Sequence, residues 1–164
     1  MGYWITLVEP ERGLTALQTI EWQNAQFDPG AMNANAFPLQ TRWTREQRDC
    51  WERICDGVVT LVGDTDREEF PSYLGIASRD PRIRLDYSGD QATITVPYWY
   101  QGDHAAKAIA LAYAIGRIVE KETTLVGVDS QTAAGLDENC IDDAVALYTG
   151  TRASAVRAVY EEEV

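Results

Sequence analysis

His104 is the only histidine in the chain, and Gly102-Asp103 just before it puts it in the first turn of a helix. A general base could stand there. However, a helix N-terminus disfavours the imidazolium form, and no second histidine exists to share a metal. Cys50, Cys55 and Cys140 offer no better set, because a Cys–His pair needs a thiolate held in an electropositive pocket. Cys50 and Cys55 lie five residues apart on a helix and point to different faces, so reduced thiols are expected. Zinc would need a second ligand pair. The run Asp64-Thr65-Asp66-Arg67-Glu68-Glu69 hints at calcium, but an EF-hand loop requires Gly at its sixth position, where Glu69 stands. Asp137-Glu138 with Asp142-Asp143 is a second acidic cluster, at a helix start where the dipole favours such charge. There is no G-x-G-x-x-G, no Walker A lysine and no G-x-S-x-G elbow. No catalytic, cofactor or metal residues are therefore assigned.

What remains is surface chemistry. Fourteen basic residues against 26 acidic ones give a net charge of −12, with a pI near 4.4. A field of that sign repels phosphate backbones and anionic lipid heads, so nucleic acid and membranes are excluded as partners. It speeds association with a basic protein. Tyr98-Trp99-Tyr100 cannot all point inward from one strand, so at least one ring is expected at the surface, where aromatic residues anchor interfaces.

The elements that must carry these residues follow from periodicity. Tyr3 to Val8 reads as a first strand, and Leu14, Leu17 and Ile20 fit a short helix within Gly13 to Asn24. Gln26 to Gln40, with Pro29, Gly30 and Pro38, reads as a long loop, which is uncommon in a compact domain and points to function or motion. Thr44 to Gln47 has the spacing of a capping box. The helix after it carries Trp51, Ile54, Cys55, Val58, Leu61 and Val62 on one stripe and ends near Gly63. Asp64 to Asp80 reads as a second irregular connection. Arg82–Tyr87 and Gln91–Tyr98 alternate as strands around a Ser88-Gly89-Asp90 turn. A long alanine-rich helix follows, Asp103 to Glu122, with Asp103 as N-cap and a buried face of Ala108, Leu111, Ala112, Ile115, Ile118 and Val119. Small residues at Ala105, Ala112 and Gly116 let it lie close on a sheet. Leu125 to Asp129 returns as a strand, and Asn139 to Tyr160 is helical, interrupted at Gly150, with Val156, Val159 and Tyr160 docking on the body.

Strand, alanine-rich helix, strand and then Val128-Asp129-Ser130-Gln131 resembles a set of small uncharacterised α+β proteins of actinobacteria, whose last strand ends in an Asp-Pro-Gln turn. Ser130 stands in place of that proline. The size, acidity and plain composition are also similar to the immunity partners of bacterial toxins. The resemblance implies an α+β fold and carries no catalytic residue over.

The expectation is one α+β domain over residues 1–164, with irregular connections near 25–43 and 64–81. The expected architecture is a ferredoxin-like split β-α-β sandwich, an antiparallel sheet with its helices on one face, plus a C-terminal helix. No apolar run reaches the ~20 residues of a membrane span and no signal peptide is evident, so a cytoplasmic protein is expected. The leading function is a non-enzymatic protein that inhibits or escorts a basic protein partner, most sharply a toxin-immunity protein. It would use Asp64, Asp66, Glu68, Glu69 and Trp99 together with the Gln26–Gln40 loop. The rivals are an enzyme or small-ligand binder with a pocket in the open sheet face near His104 and Asp129, and a structural subunit that forms a homodimer through that face.

Overall fold

The computed structural model describes residues 2–28 and 43–150. In chain order the elements are β1 (Gly2–Val8), α1 (Ala16–Gln26), α2 (Arg45–Val62), β2 (Thr65–Glu69), β3 (Leu74–Ser78), β4 (Arg84–Tyr87), β5 (Gln91–Pro97), α3 (Gly102–Glu122), β6 (Val126–Asp129) and β7 (Ala134–Gly135). A 3₁₀ turn at Glu138–Cys140 leads into a helix over 141–150, α4. The fold is α+β. One seven-stranded sheet runs in the order β2-β3-β4-β5-β1-β6-β7, and every neighbouring pair is antiparallel. β1 lies between β5 and β6, the two strands that α3 connects.

Alternation sets the faces. Tyr3, Ile5 and Leu7 of β1, Ile94 and Val96 of β5, Leu85 and Tyr87 of β4, and Leu74 and Ile76 of β3 all enter the main core. There they meet Trp51, Ile54, Cys55 and Val58 of α2 and Ala105, Ala108, Ile109, Ala112, Ile115 and Val119 of α3. Ile5 faces Ile94 across the strands, and complete burial of each contributes about 2 kcal/mol. Tyr87 stacks between Trp43 and Trp51, with ring centroids 6.1 and 5.8 Å away. α4 joins this layer through Ala144 and Tyr148.

The local signals for α2 hold. Thr44 accepts from the Gln47 amide while the Gln47 side chain accepts from the Thr44 amide, and Gly63 closes the helix at φ 79°, a conformation that favours glycine. α1 has a box of the same kind, Thr15 with Gln18. The start of α3 differs from expectation. Its N-cap is Gln101 without a side-chain bond, and Asp103 stands in the first turn as a favourable anion. The buried face of α3 also includes Ile109 and Tyr113, while Leu111 and Ile118 are half-buried against the core.

Two expectations are corrected. Asp64 to Asp80 is not an irregular connection: most of it is the β2–β3 hairpin, closed by a bond from the Phe70 amide to the Tyr73 carbonyl at 2.9 Å. β2 hid because all its residues are polar, so it shows no apolar alternation. Nor do all the helices share one face. Ala16, Leu17 and Ile20 of α1 pack on Val8 and Val128, away from the main core. Residues 29–42 and 151–164, which include most of the expected Gln26–Gln40 loop and Val156, Val159 and Tyr160, lie outside the described residues.

Leu136 locks α3 to the sheet. A Cβ added at Gly116 or at Gly127 would stand 2.3 Å from Leu136 Cδ1, and at Gly127 also 2.6 Å from its Cγ. Gly127→Ala should therefore cost about 1–3 kcal/mol through overpacking. Denaturant unfolding should show the same change costing little in a Leu136→Ala background.

Candidate functional site

Two features come from residues singled out by sequence, an aromatic shelf at one end of the sheet and an acidic run along its β2 edge. The first is the aromatic shelf after β5. The Tyr148 hydroxyl donates to the Pro97 carbonyl and accepts from the Tyr100 amide at 3.1 Å. The Tyr100 hydroxyl accepts from the Arg82 amide at 2.5 Å. Tyr98 packs on the Tyr148 ring at 5.3 Å. These bonds tie β5, the segment just before β4 and α4 together, and both flanking tyrosines are half-buried. Trp99 between them is 62% exposed. Of the three consecutive rings, the middle one is the surface residue.

The second feature is the acidic run. Asp66, Glu68 and Glu69 lie on β2, at the edge of the sheet, and Asp64 just before it. The run is not a bare anionic loop. Arg79 bonds Asp66 at 2.9 Å, Arg48 bonds Glu69 at 2.5 Å, and Arg84 spans Glu68 at 2.7 Å and Asp86 at 2.9 and 3.0 Å. Arg67 of the same strand reaches Glu52 of α2 at 3.0 Å. The bond from Arg79 holds the Asp66 carboxyl below the usual carboxylate range, and that from Arg48 does the same for Glu69. The ladder register continues from Gly2↔Pro97 through Arg84↔Thr95, Ala77↔Arg84 and Asp66↔Ala77. It puts Asp64, Arg79, Arg82 and Pro97 at the same end of the sheet as the shelf. Three strand spacings of about 4.8 Å separate β2 from β5, so the Asp64–Asp66 end of the run lies on the shelf's side of the sheet, whereas Glu69, in register through Leu74 and Tyr87 with Ala92, lies at the opposite end.

His104 and Asp129 are not brought together. His104 is exposed on the first turn of α3. Asp129 is fully buried, on the helix-covered face, opposite Ile5. One of its oxygens accepts from the Tyr3 hydroxyl and from the Tyr113 hydroxyl at 2.5 Å; the other accepts from the Gln131 amide at 3.0 Å. Tyr113 is nine residues along α3 from His104, roughly 13 Å by helical rise. Asp129 is thus a saturated structural carboxylate joining β1, α3 and the turn after β6. The open face carries a shallow depression of about 440 Å³, lined by Ser72, Tyr73, Asp86, Ser88, Gln91, Ala92 and Thr93; neither His104 nor Asp129 lines it. Burial pushes the Cys55 thiol up to about 12, so it stays protonated. Among the described residues no cluster of His, Cys, Asp or Glu could hold a metal ion, and no helix is long and apolar enough to cross a membrane.

Comparison with protein-family models, with curated proteins and with solved structures returns no match.

Burial raises the pKa of Tyr3 and Tyr113, and hydrogen bonding to Asp129 adds to the rise. In the unfolded chain both ionise near 10.0. Because the folded values lie higher, this contribution to stability is complete below pH 10 and declines as the pH rises further. Unfolding midpoints should therefore fall above pH 10. Tyr113→Phe should flatten that decline, and at neutral pH it should cost about 1–3 kcal/mol for the hydrogen bond lost in a buried site. Denaturant titrations across the alkaline range measure both.

Proposed function

We propose that the chain is a non-enzymatic binding protein that inhibits or escorts a basic protein partner, in its sharpest form the immunity partner of a toxin. One observation carries the reading: Trp99 is the most exposed large apolar side chain among the described residues, and it stands on a shelf held by hydrogen bonds on both sides. An exposed tryptophan on a rigid support keeps its conformational cost of binding low, and such residues dominate interface energies.

Electrostatics supports the basic partner. Arg45, Arg48, Arg53, Arg67, Arg79, Arg84 and Arg117 each pair with a carboxylate within the chain. The field a partner meets is therefore set by the surplus acid. That field steers a basic protein inward and turns nucleic acid and anionic lipid away. A cytoplasmic setting, with reduced thiols, belongs to the same proposal.

We read the sheet as a ferredoxin-like core of β4-β5-β1-β6 with α2 and α3 as its two crossover helices. On that reading the β2–β3 hairpin is an insertion between α2 and β4, and β7 is an extension. The split connection β5-α3-β6 around β1 supports it.

A tagged chain should capture one basic protein from a lysate of its own source, and salt should release it. Trp99→Ala should weaken that complex about 30- to 1000-fold, the equivalent of 2–4 kcal/mol, while unfolding at the same temperature as the parent. A preparation that captures no basic protein, or a Trp99→Ala variant that binds as tightly as the parent, would contradict the reading.

A further inference from the structure

β2 leaves half of its backbone unpaired. The Phe70–Tyr73 bond closes its hairpin with β3, and bonded and non-bonded pairs alternate away from that turn. Asp66 and Glu68, opposite Ala77 and Gly75, therefore spend their amide and carbonyl groups on β3. Those of Thr65, Arg67 and Glu69 point outward, and among the described residues no strand lies beyond them. The other edge of the sheet, β7, has only two residues.

The side chains show what this edge suits. Asp66 and Glu68 share the face that carries Arg84 and Asp86, and Asp64 continues their row, with its charge acting on Arg79. The row is acidic at every position. Each arginine engages one carboxylate oxygen, Oδ1 of Asp66 and Oε2 of Glu68, and both side chains remain about half exposed (50% and 47%). Antiparallel pairing with a second copy would join outward-facing residues to outward-facing residues. The three registers that centre on Arg67 or set it beside Thr65 or Glu69 would then put acid against acid in the other row: Asp66 on Asp66, Asp66 on Glu68, or Glu68 on Glu68. Like charges directly opposite are destabilising, so this row disfavours pairing with its own copy. A strand with cations at alternate positions meets no such penalty.

We propose that the β2 edge takes up an extended basic segment of the partner as an added strand. Its backbone would pair with Thr65, Arg67 and Glu69, and its lysines or arginines would face Asp64, Asp66 and Glu68. The inference rests on the reading above that the partner is a basic protein. It gives that partner a recognisable feature, lysine or arginine at every second position of a β-prone stretch.

The test uses the full chain, isotopically labelled, with an end-blocked octapeptide alternating lysine and valine as the probe. Amide exchange at Thr65, Arg67 and Glu69 should slow on binding, salt should weaken the complex, and a glutamate–valine peptide should leave these amides unchanged. Arg67→Pro removes one outward amide and should weaken peptide binding about tenfold or more; Arg67→Ala, which loses only the side chain, should bind like the parent. If Arg67→Pro does not fold, Thr65→Pro replaces it, since proline is tolerated at the first residue of a strand. Protection confined to other segments, or undiminished binding by the proline variant, overturns strand addition. Trp99→Ala should not change peptide binding. A peptide that ignores β2 while Trp99-dependent capture of a basic protein persists therefore sinks this inference alone.

Discussion

The buried Asp129 carboxylate is the constraint around which the sheet is assembled. It takes the hydroxyls of Tyr3 on β1 and Tyr113 on α3, and so fixes the central strand, the crossover helix and the end of β6 relative to one another. A buried carboxylate stripped of those donors would cost several kcal/mol, which is why the arrangement is all or none. Once β1 is held between β5 and β6, α3 must cross over one face, and the meander from β5 back to β2 extends in the other direction. The outlying edge at β2 is the consequence.

The same constraint explains why Asp129 does no surface chemistry. Every oxygen it has is used, and α3 covers it. His104 is on the same helix but two and a half turns away and in solvent. The chain's titratable residues are thus committed to structure in two ways, the buried Asp129 group and the ion pairs that occupy seven of its arginines. What the surface retains is surplus negative charge and exposed aromatic rings, of which Trp99 is the most exposed among the described residues.

Much of this was legible in the sequence where one face of an element is buried. β1, β4, β5, α2 and α3 show the alternation or the three- and four-residue steps that burial of one side imposes. The same rule hid other elements. β2, Thr-Asp-Arg-Glu-Glu, is exposed on both faces, so its pattern carries no apolar period. β3, Leu-Gly-Ile-Ala-Ser, is buried throughout and is too short to separate from a loop by periodicity. α1, which covers only a corner of the sheet, is by contrast marked by the helical spacing of Leu17 and Ile20 and lies on the expected short helix. The site was partly legible. Three adjacent aromatics require an exposed ring, and Trp99 is that ring. The arginine partners of Asp66, Glu68 and Glu69 come from α2, β4 and the end of β3, and no local spacing could name them.

The proposed recognition surface runs from the Trp99 shelf to and along the β2 edge. An amide-exchange map of the chain with and without its captured partner tests it most directly. Exchange should slow at residues 64–69 and 98–100, with little change on α1. Protection centred on α1, with the shelf and the β2 edge unaffected, would overturn that surface.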